Sequence, residues 1–316
     1  MECVRLGRTD LVISRVGFGC EPLGGTDWGQ VEESDAVAAV SRALDLGINF
    51  FDTADVYGLG RSEEVLSRAL GERRKDVVIA TKFGVNWQRG PTEDRARTFL
   101  DSSPRRAIEA LEGSLRRLRV DCISLYLVHW PDPNMPIGET MQALMKCREA
   151  GKIRHIGVSN FPASRIREAH QAVDLSAVEL PYNLVDRRCE AEVLPLCREL
   201  GLAVIAYGPL AQGLLTGKYD LNSRFGQDDR RHRLPHFQGK AFAESLRIVD
   251  RLKEVGERHQ KSPAQVAIRW VLDYAPVSCA ITGAKSPAQI EDNVGAVGWS
   301  LAQDECRYLA DGLRTS

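Results

Sequence analysis

The sequence predicts a closed (β/α)8 TIM barrel preceded by a small β-hairpin. Three observations lead there. Short β-branched runs alternate with helical periodicity along the whole chain, giving eight strand-to-helix units after the hairpin. Several strand runs (DVVIAT, CISLYLV, LAVIAY) are continuously apolar, as strands covered on both faces are. The length of 316 residues accommodates a barrel of about 250 residues plus insertions. An open doubly wound sheet is the competitor, and it carries a glycine fingerprint after its first strand. Here Gly17-Phe18-Gly19 is followed by Pro22 where a third glycine is needed. Without a Pro/Ser-rich linker, a long repeat or a low-complexity tract, residues 1–316 read as a single barrel domain.

The elements follow in order. Val4–Leu6 and Leu11–Ile13, joined by Gly7-Arg8-Thr9-Asp10, form the hairpin. A strand at Arg15–Gly19 precedes an amphipathic helix over Val31–Leu46, stopped by Gly47. Strand Ile48–Asp52 leads to a helix from Ser62 to Leu70; Ser62 is placed to cap it, with Glu63 and Glu64 in its positive first turn. Strand Val77–Lys82, helix Pro104–Leu118, strand Cys122–Val128 and helix Gly138–Ala150 come next. Strands Ile153–Val158, Ala177–Leu180 and Leu202–Ala206 alternate with helices Pro162–Ala172 and Arg188–Leu200. A long polar loop near Leu221–Gly239 precedes helices Lys240–Gln260 and Ser262–Tyr274. Strand Val277–Ile281 and helices Pro287–Val297 and Ala302–Leu313 complete the series.

Composition narrows the function. With 43% hydrophobic and 27% charged residues the chain is not a disordered one, and its net charge of −1 gives no footprint for nucleic acid or an anionic membrane. Its apolar runs fall short of the roughly 18 residues a membrane span needs, and MECVRLGRTDLVISRVGFG lacks the apolar core of a signal peptide. A cytoplasmic protein is expected. The 8 cysteines include no C-x-x-C pair and no zinc-like spacing with histidine, so they read as reduced thiols and no metal is expected.

In a barrel, chemistry collects where strands end. Asp52, Lys82 and His129 each close an apolar strand run and would converge on one rim, with Tyr57 five residues beyond Asp52. A phenol is a poor acid at neutral pH; a nearby ammonium stabilises the phenolate and lowers that barrier. Lys82 would supply that charge to Tyr57, and Asp52 would keep Lys82 ionised in a partly dry site. His129 can donate a hydrogen bond to a carbonyl oxygen. The set suits protonation of an oxygen as hydride reaches its carbon.

The stretch GINFFDTADVYGLGRSEEVLSRAL (47–70) resembles the signature of the aldo-keto reductases. The resemblance continues through IATKFG (79–84), LYLVHWPDPNMP (125–136), GKIRHIGVSNF (151–161), VIAYGPLAQGLLTGKY (204–219) and ITGAKSPAQIEDN (281–293). It is closest in pattern to the branch that includes the potassium-channel β-subunit-like reductases. The resemblance implies that the hairpin closes the bottom of the barrel, that extra C-terminal helices are present, and that the activity is reversible nicotinamide-dependent reduction of an aldehyde or ketone to an alcohol. It places the family's catalytic tetrad on Asp52, Tyr57, Lys82 and His129. It also places Ser159, Asn160 and residue 179 at the nicotinamide carboxamide and Tyr207 on the nicotinamide face. Pro209, Leu210, Gln212 and Lys218 fall at the pyrophosphate, and Gly283, Lys285, Gln289 and Asn293 at the adenosine end. A cation such as Lys285 beside a helix start attracts a phosphate dianion, which favours NADPH over NADH.

Two positions depart from the family pattern. Glu179 stands where many relatives have Gln, and an ionised carboxylate only accepts hydrogen bonds, so it either takes the carboxamide NH2 or is held protonated by burial. Cys20 stands where Thr is frequent. Trp28, Trp87 and Trp130 on barrel-top loops are candidates for the walls of a small-molecule substrate pocket, and RFGQDDRRHRLPHF (224–237) is long enough to serve as a clamp over cofactor phosphates. Two alternatives stay open: a sugar or alcohol dehydrogenase running in the oxidative direction, and a cofactor-binding regulatory subunit with little turnover. The His at position 129 favours turnover over the regulatory reading. The natural substrate and the oligomeric state are not legible.

Overall fold

Residues 1–25, 32–88, 96–226 and 229–311 are described by the structure, a computed structural model; Trp28 lies outside the described residues. Twelve strands occur among them: β1 (Cys3–Arg5), β2 (Val12–Ser14), β3 (Val16–Gly19), β4 (Phe50–Asp52), β5 (Val78–Phe83), β6 (Val85–Gln88), β7 (Arg97–Leu100), β8 (Ile123–Val128), β9 (Ile153–Ser159), β10 (Ala177–Pro181), β11 (Ala203–Tyr207) and β12 (Val277–Gly283). Eight of them close a parallel barrel in the order β10-β11-β12-β3-β4-β5-β8-β9. The surrounding helices are α1 (Glu33–Asp45), α2 (Arg61–Leu70), α3 (Pro104–Leu118), α4 (Ile137–Glu149), α5 (Ala163–Ala172), α6 (Val193–Leu200), α7 (Gly239–His259), α8 (Pro263–Asp273), α9 (Pro287–Val294) and α10 (Gln303–Ala310).

Alternation along each strand explains why the runs are apolar throughout. Phe50, Ala80, Leu125, Leu127, Ala177, Ile205 and Cys279 point inward and pack on one another. Their sequence neighbours Phe51, Ile79, Tyr126, Val128, Val178, Val204 and Ala280 point outward into the layer beneath the helices. Burying a Phe or Leu on either face contributes roughly 1.5–3 kcal/mol. Room inside is tight: a Cβ on Gly17 would sit 2.8 Å from the Phe50 ring, and one on Gly19 2.8 Å from Ile281. These glycines therefore serve barrel packing, in keeping with the missing fingerprint.

The hairpin β1–β2, with Val4 opposite Ile13, plugs the lower end. Its Leu6, Leu11 and Ile13 join the inner cluster, and Gly7 lies against Ala203 N and Ser176 O, where strands begin. The Thr9 hydroxyl donates to Leu6 O and accepts from Leu11 N–H, fixing the turn.

Three expectations need correction, and one element goes beyond them. Helix α2 is preceded by a 3-10 turn, Tyr57–Gly60, so Gly60 and not Ser62 is its N-cap. The Ser62 hydroxyl instead donates to Cys20 O and bonds Thr53 Oγ1, tying the ends of β3 and β4 to α2. The span 188–200 is not one helix but a short turn, Arg188–Glu190, followed by α6; around the break Glu190 accepts from Tyr182 and Arg187. The loop after β5 contains an antiparallel hairpin, β6–β7. Helix α9 ends at Val294, three residues earlier than its pattern suggests.

Elsewhere Ser262 and Gln265 form a capping box at α8, and the eight cysteines are free thiols. Among the described residues, no helix is long and apolar enough to cross a membrane.

Candidate active site

The inward parity that fills the barrel also builds its mouth. Continuing each inward column by two residues moves from Phe50 to Asp52, from Ala80 to Lys82, from Leu127 to His129, from Ala177 to Glu179 and from Ile205 to Tyr207. The same period that packs apolar side chains below therefore delivers polar ones at the strand ends.

Lys82 is fully buried. Its ammonium donates to Asp52 Oδ1 at 2.5 Å and to Thr53 O at 3.1 Å, and lies 3.4 Å from Glu179 Oε1. Tyr57 is carried over this pair by the 3-10 turn, in which Gly58 and Leu59 both take left-handed backbone angles (φ 59° and 57°). Gly58 is pressed onto Gly24: a Cβ there would lie 2.3 Å from Gly24 O. With the turn seated this way, the Tyr57 ring centroid is 5.4 Å from Lys82 Nζ and 5.7 Å from the His129 ring, which meets it edge-on. The four tetrad candidates are thus brought together.

Burial sets their protonation. It pushes the Tyr57 phenol well above its ordinary value, while the Lys82 charge pulls the other way. Lys82 thus acts on the phenol in the expected direction, against the opposing effect of burial. For Lys82 itself, burial opposes the charged form, but Asp52, Glu179 and Tyr57 more than compensate and hold the ammonium well above its usual range. His129 is held neutral by burial and then by Lys82, so it offers a single N–H donor. Asp52 is raised by burial against the pull of Lys82, and Glu179 is pushed up to about 8 by burial and then by the Asp52 charge.

The residues proposed to bind a nicotinamide occupy two neighbouring stretches of the rim. Asn160, itself left-handed at φ 63°, donates to His129 O and to Ser159 Oγ, and accepts from the Tyr207 hydroxyl at 2.7 Å. Ser159 Oγ donates to Glu179 Oε1 at 3.3 Å. Pro209 and Leu210 follow β11, and Gln212 in the next turn lies 2.9 Å from His236. Beyond them Lys218 sits at Tyr219, and Lys285, Arg231 and Asp229 form a charged group: Lys285 is lowered by burial and then by the Arg231 charge. Gly283 ends β12, Gln289 accepts from the Lys285 backbone N–H, and Asn293 is buried on α9.

Sequence reasoning left Arg231 and Asp229 inside an undivided polar segment; its length was the only signal they offered. It also left out Asp55 and Arg106, whose ion pair, with Asp55 buried and Arg106 half-buried, ties the loop between Asp52 and Tyr57 to α3. Trp87 lays its ring against Arg106 at 5.1 Å, and Trp130 is 44% exposed directly after His129.

Comparison with known proteins places this site in context. The family model described as "Aldo/keto reductase family" matches residues 15–312. The chain is 38% identical over 308 residues to Aldo-keto reductase YhdN of Bacillus subtilis, covering 96% of this chain and 91% of that protein. It is 36% identical to Aldo-keto reductase yakc [NADP(+)] of Schizosaccharomyces pombe, with 95% and 88% covered. Among solved structures, the glycerol dehydrogenase AKR11B4 from Gluconobacter oxydans superposes with a TM-score of 0.92 at 40% identity, covering 98% of this chain and 94% of that one. The aldo-keto reductase AKR11C1 from Bacillus halodurans in its holo form gives 0.83 at 30% identity, with 99% and 96% covered.

Proposed function

We propose a reaction for this site from one premise: the chain belongs to the aldo/keto reductase family and is an NAD(P)H-dependent enzyme. The reading is reduction of an aldehyde or ketone to an alcohol by NADPH, with Tyr57 as the proton donor. The observation that carries it is the Tyr57 ring set between the Lys82 ammonium and the neutral His129 imidazole, above the buried Lys82–Asp52 pair.

The residues present fit a nicotinamide dinucleotide. Ser159, Asn160, Glu179 and Tyr207 make a polar rim beside the tetrad, and Arg231 and Lys285 set two cations beside Asp229 at the far end, with Lys218 acting on Lys285. Such clustered cations match a phosphate dianion, which favours NADPH over NADH. When bound, the reduced cofactor supplies the hydride. The chain supplies the rest. His129 N–H orients the carbonyl oxygen, and the Tyr57 hydroxyl donates its proton to that oxygen as negative charge develops there. Lys82 stabilises the phenolate left behind, and Asp52 holds the ammonium in place. The buried, preformed arrangement keeps these charges strong by excluding water.

Likeness to a glycerol dehydrogenase supports a second reading, oxidation of a polyol, for which the same proton path runs in reverse. Incubation with NADPH and an activated aldehyde such as nitrobenzaldehyde, and with NADP and glycerol, tests both. Loss of reduced-nicotinamide absorbance supports reduction. Cofactor binding without turnover across carbonyl and alcohol panels defeats both readings and leaves the regulatory one.

A further inference from the structure

Glu179, on the rim proposed for the cofactor, is a charge-bearing side chain to which the proton transfer above gives no part. Its Oε1 is occupied by Ser159 and Lys82, while Oε2 is buried with no donor. Asp52 repeats the pattern: Oδ1 takes Lys82, and Oδ2 is buried with no donor. The two carboxyl groups meet on one nitrogen: Lys82 Nζ lies 2.5 Å from Asp52 Oδ1 and 3.4 Å from Glu179 Oε1. Two ionised carboxylates have only lone pairs to offer each other, and a buried acceptor without a donor is costly. One proton on the pair turns one of these acceptors into a donor. It also leaves a single negative charge facing the single positive charge of Lys82.

We propose that Glu179 and Asp52 hold one proton between them, and that this proton controls Tyr57 through Lys82, making Glu179 a positioning residue for carbonyl reduction. The inference rests on the reaction proposed above. With the proton in place the Asp52–Lys82–Glu179 cluster is neutral and Lys82 acts on the phenol opposed by one carboxylate. Loss of the proton from the carboxyl pair to solvent breaks one O–H bond and changes nothing else. It adds a second negative charge beside Lys82, and a charged Glu179 raises the Tyr57 phenol further, weakening it as an acid.

The other titratable groups around Glu179 do not share this range. Cys279 comes from β12 and Cys20 from the end of β3 farther round the barrel, Tyr207 from the adjacent β11 and Tyr57 from the loop above, and burial pushes all four upward. His129 is held neutral. Burial, with the Asp52 charge behind it, pushes Glu179 up to about 8, leaving the carboxyl pair as the part of the cluster that changes charge near neutral pH.

Two measurements on the intact protein test this. In difference infrared spectra of the cofactor-free protein, the wild type should lose a protonated-carboxyl C=O band as pH rises through about 8, and Glu179→Gln should lack that component. Asp55, which burial pushes up to about 7, contributes its own band and should do so in both proteins. In nitrobenzaldehyde reduction, kcat/KM should fall about tenfold between about pH 7 and about pH 9 in the wild type and stay within about twofold in Glu179→Gln, whose amide keeps both hydrogen-bonding roles without titrating. Absence of the Glu179-dependent band overturns the shared proton whether or not the protein turns over. A band present with the same pH profile in both proteins overturns control of Tyr57. If no carbonyl is reduced at all, the proposed reaction fails, and the infrared result still decides the proton.

Discussion

Replacing Lys82 with Met removes a buried charge while nearly conserving volume, and the structure gives the size of the effect. Asp52 loses the ammonium that bonds it at 2.5 Å and faces Glu179 in a site closed to water. Neither carboxylate can then remain ionised there, so the folded variant must hold Asp52 protonated. Doing so at pH 7 against an ordinary Asp value near 3.9 costs about 1.4 kcal/mol per pH unit over roughly three units, or ~4 kcal/mol. That agrees with the ~3–5 kcal/mol found when one partner of a buried pair is removed. The sign follows from linkage. Asp52 in the variant has a folded pKa above its unfolded one, so the folded state binds more protons. Stability is therefore retained below about pH 4 and is lost as pH rises. At about pH 5 the cost should shrink to ~1.5 kcal/mol. Urea unfolding of both proteins across that range, with slopes compared to exclude a change in the unfolded state, measures the difference directly. A loss that is equal at about pH 5 and pH 7, or below ~1 kcal/mol throughout, would refute the reasoning.

Other substitutions probe separate parts of the site. Tyr57→Phe should lower kcat by about 10²–10⁴-fold while leaving NADPH binding, followed by quenching of protein fluorescence, within about twofold; rapid turnover would remove the proton-donor role. Gly58→Ala places a methyl group against Gly24 O at a left-handed position, and should cost at least ~1–3 kcal/mol and reduce kcat by displacing Tyr57, both absent if the turn simply relaxes. Lys285→Met should weaken NADPH binding about tenfold and NADH binding little, measured as Kd for each; equal losses would place the cation elsewhere on the dinucleotide.

The barrel was legible because its strands obey one rule twice over. Residues such as Phe51 and Ile79 face the helices while Phe50 and Ala80 fill the interior, so each run is apolar and unmistakable. Asp52, Lys82 and His129 were visible as the polar residues ending those runs. The cap of α2 was misread because the 3-10 turn Tyr57–Gly60 flows directly into the helix, and left-handed residues leave no periodic trace. Hairpin β6–β7 was missed because the residues of β7 are all exposed and show no alternation. The net direction of Tyr57, the shared setting of Asp52 and Glu179, and the grouping of Arg231 with Lys285 depend on desolvation and on contacts between distant segments. Local pattern carries no record of either.

The complete enclosure of Lys82 has a practical corollary. Amine-directed labelling reagents reach side chains such as Lys75 and Lys240 freely, whereas this nitrogen is reached only when the barrel mouth opens. Its rate of acylation, followed by peptide mass spectrometry, thus clocks opening of the mouth, including movement of the turn that carries Tyr57.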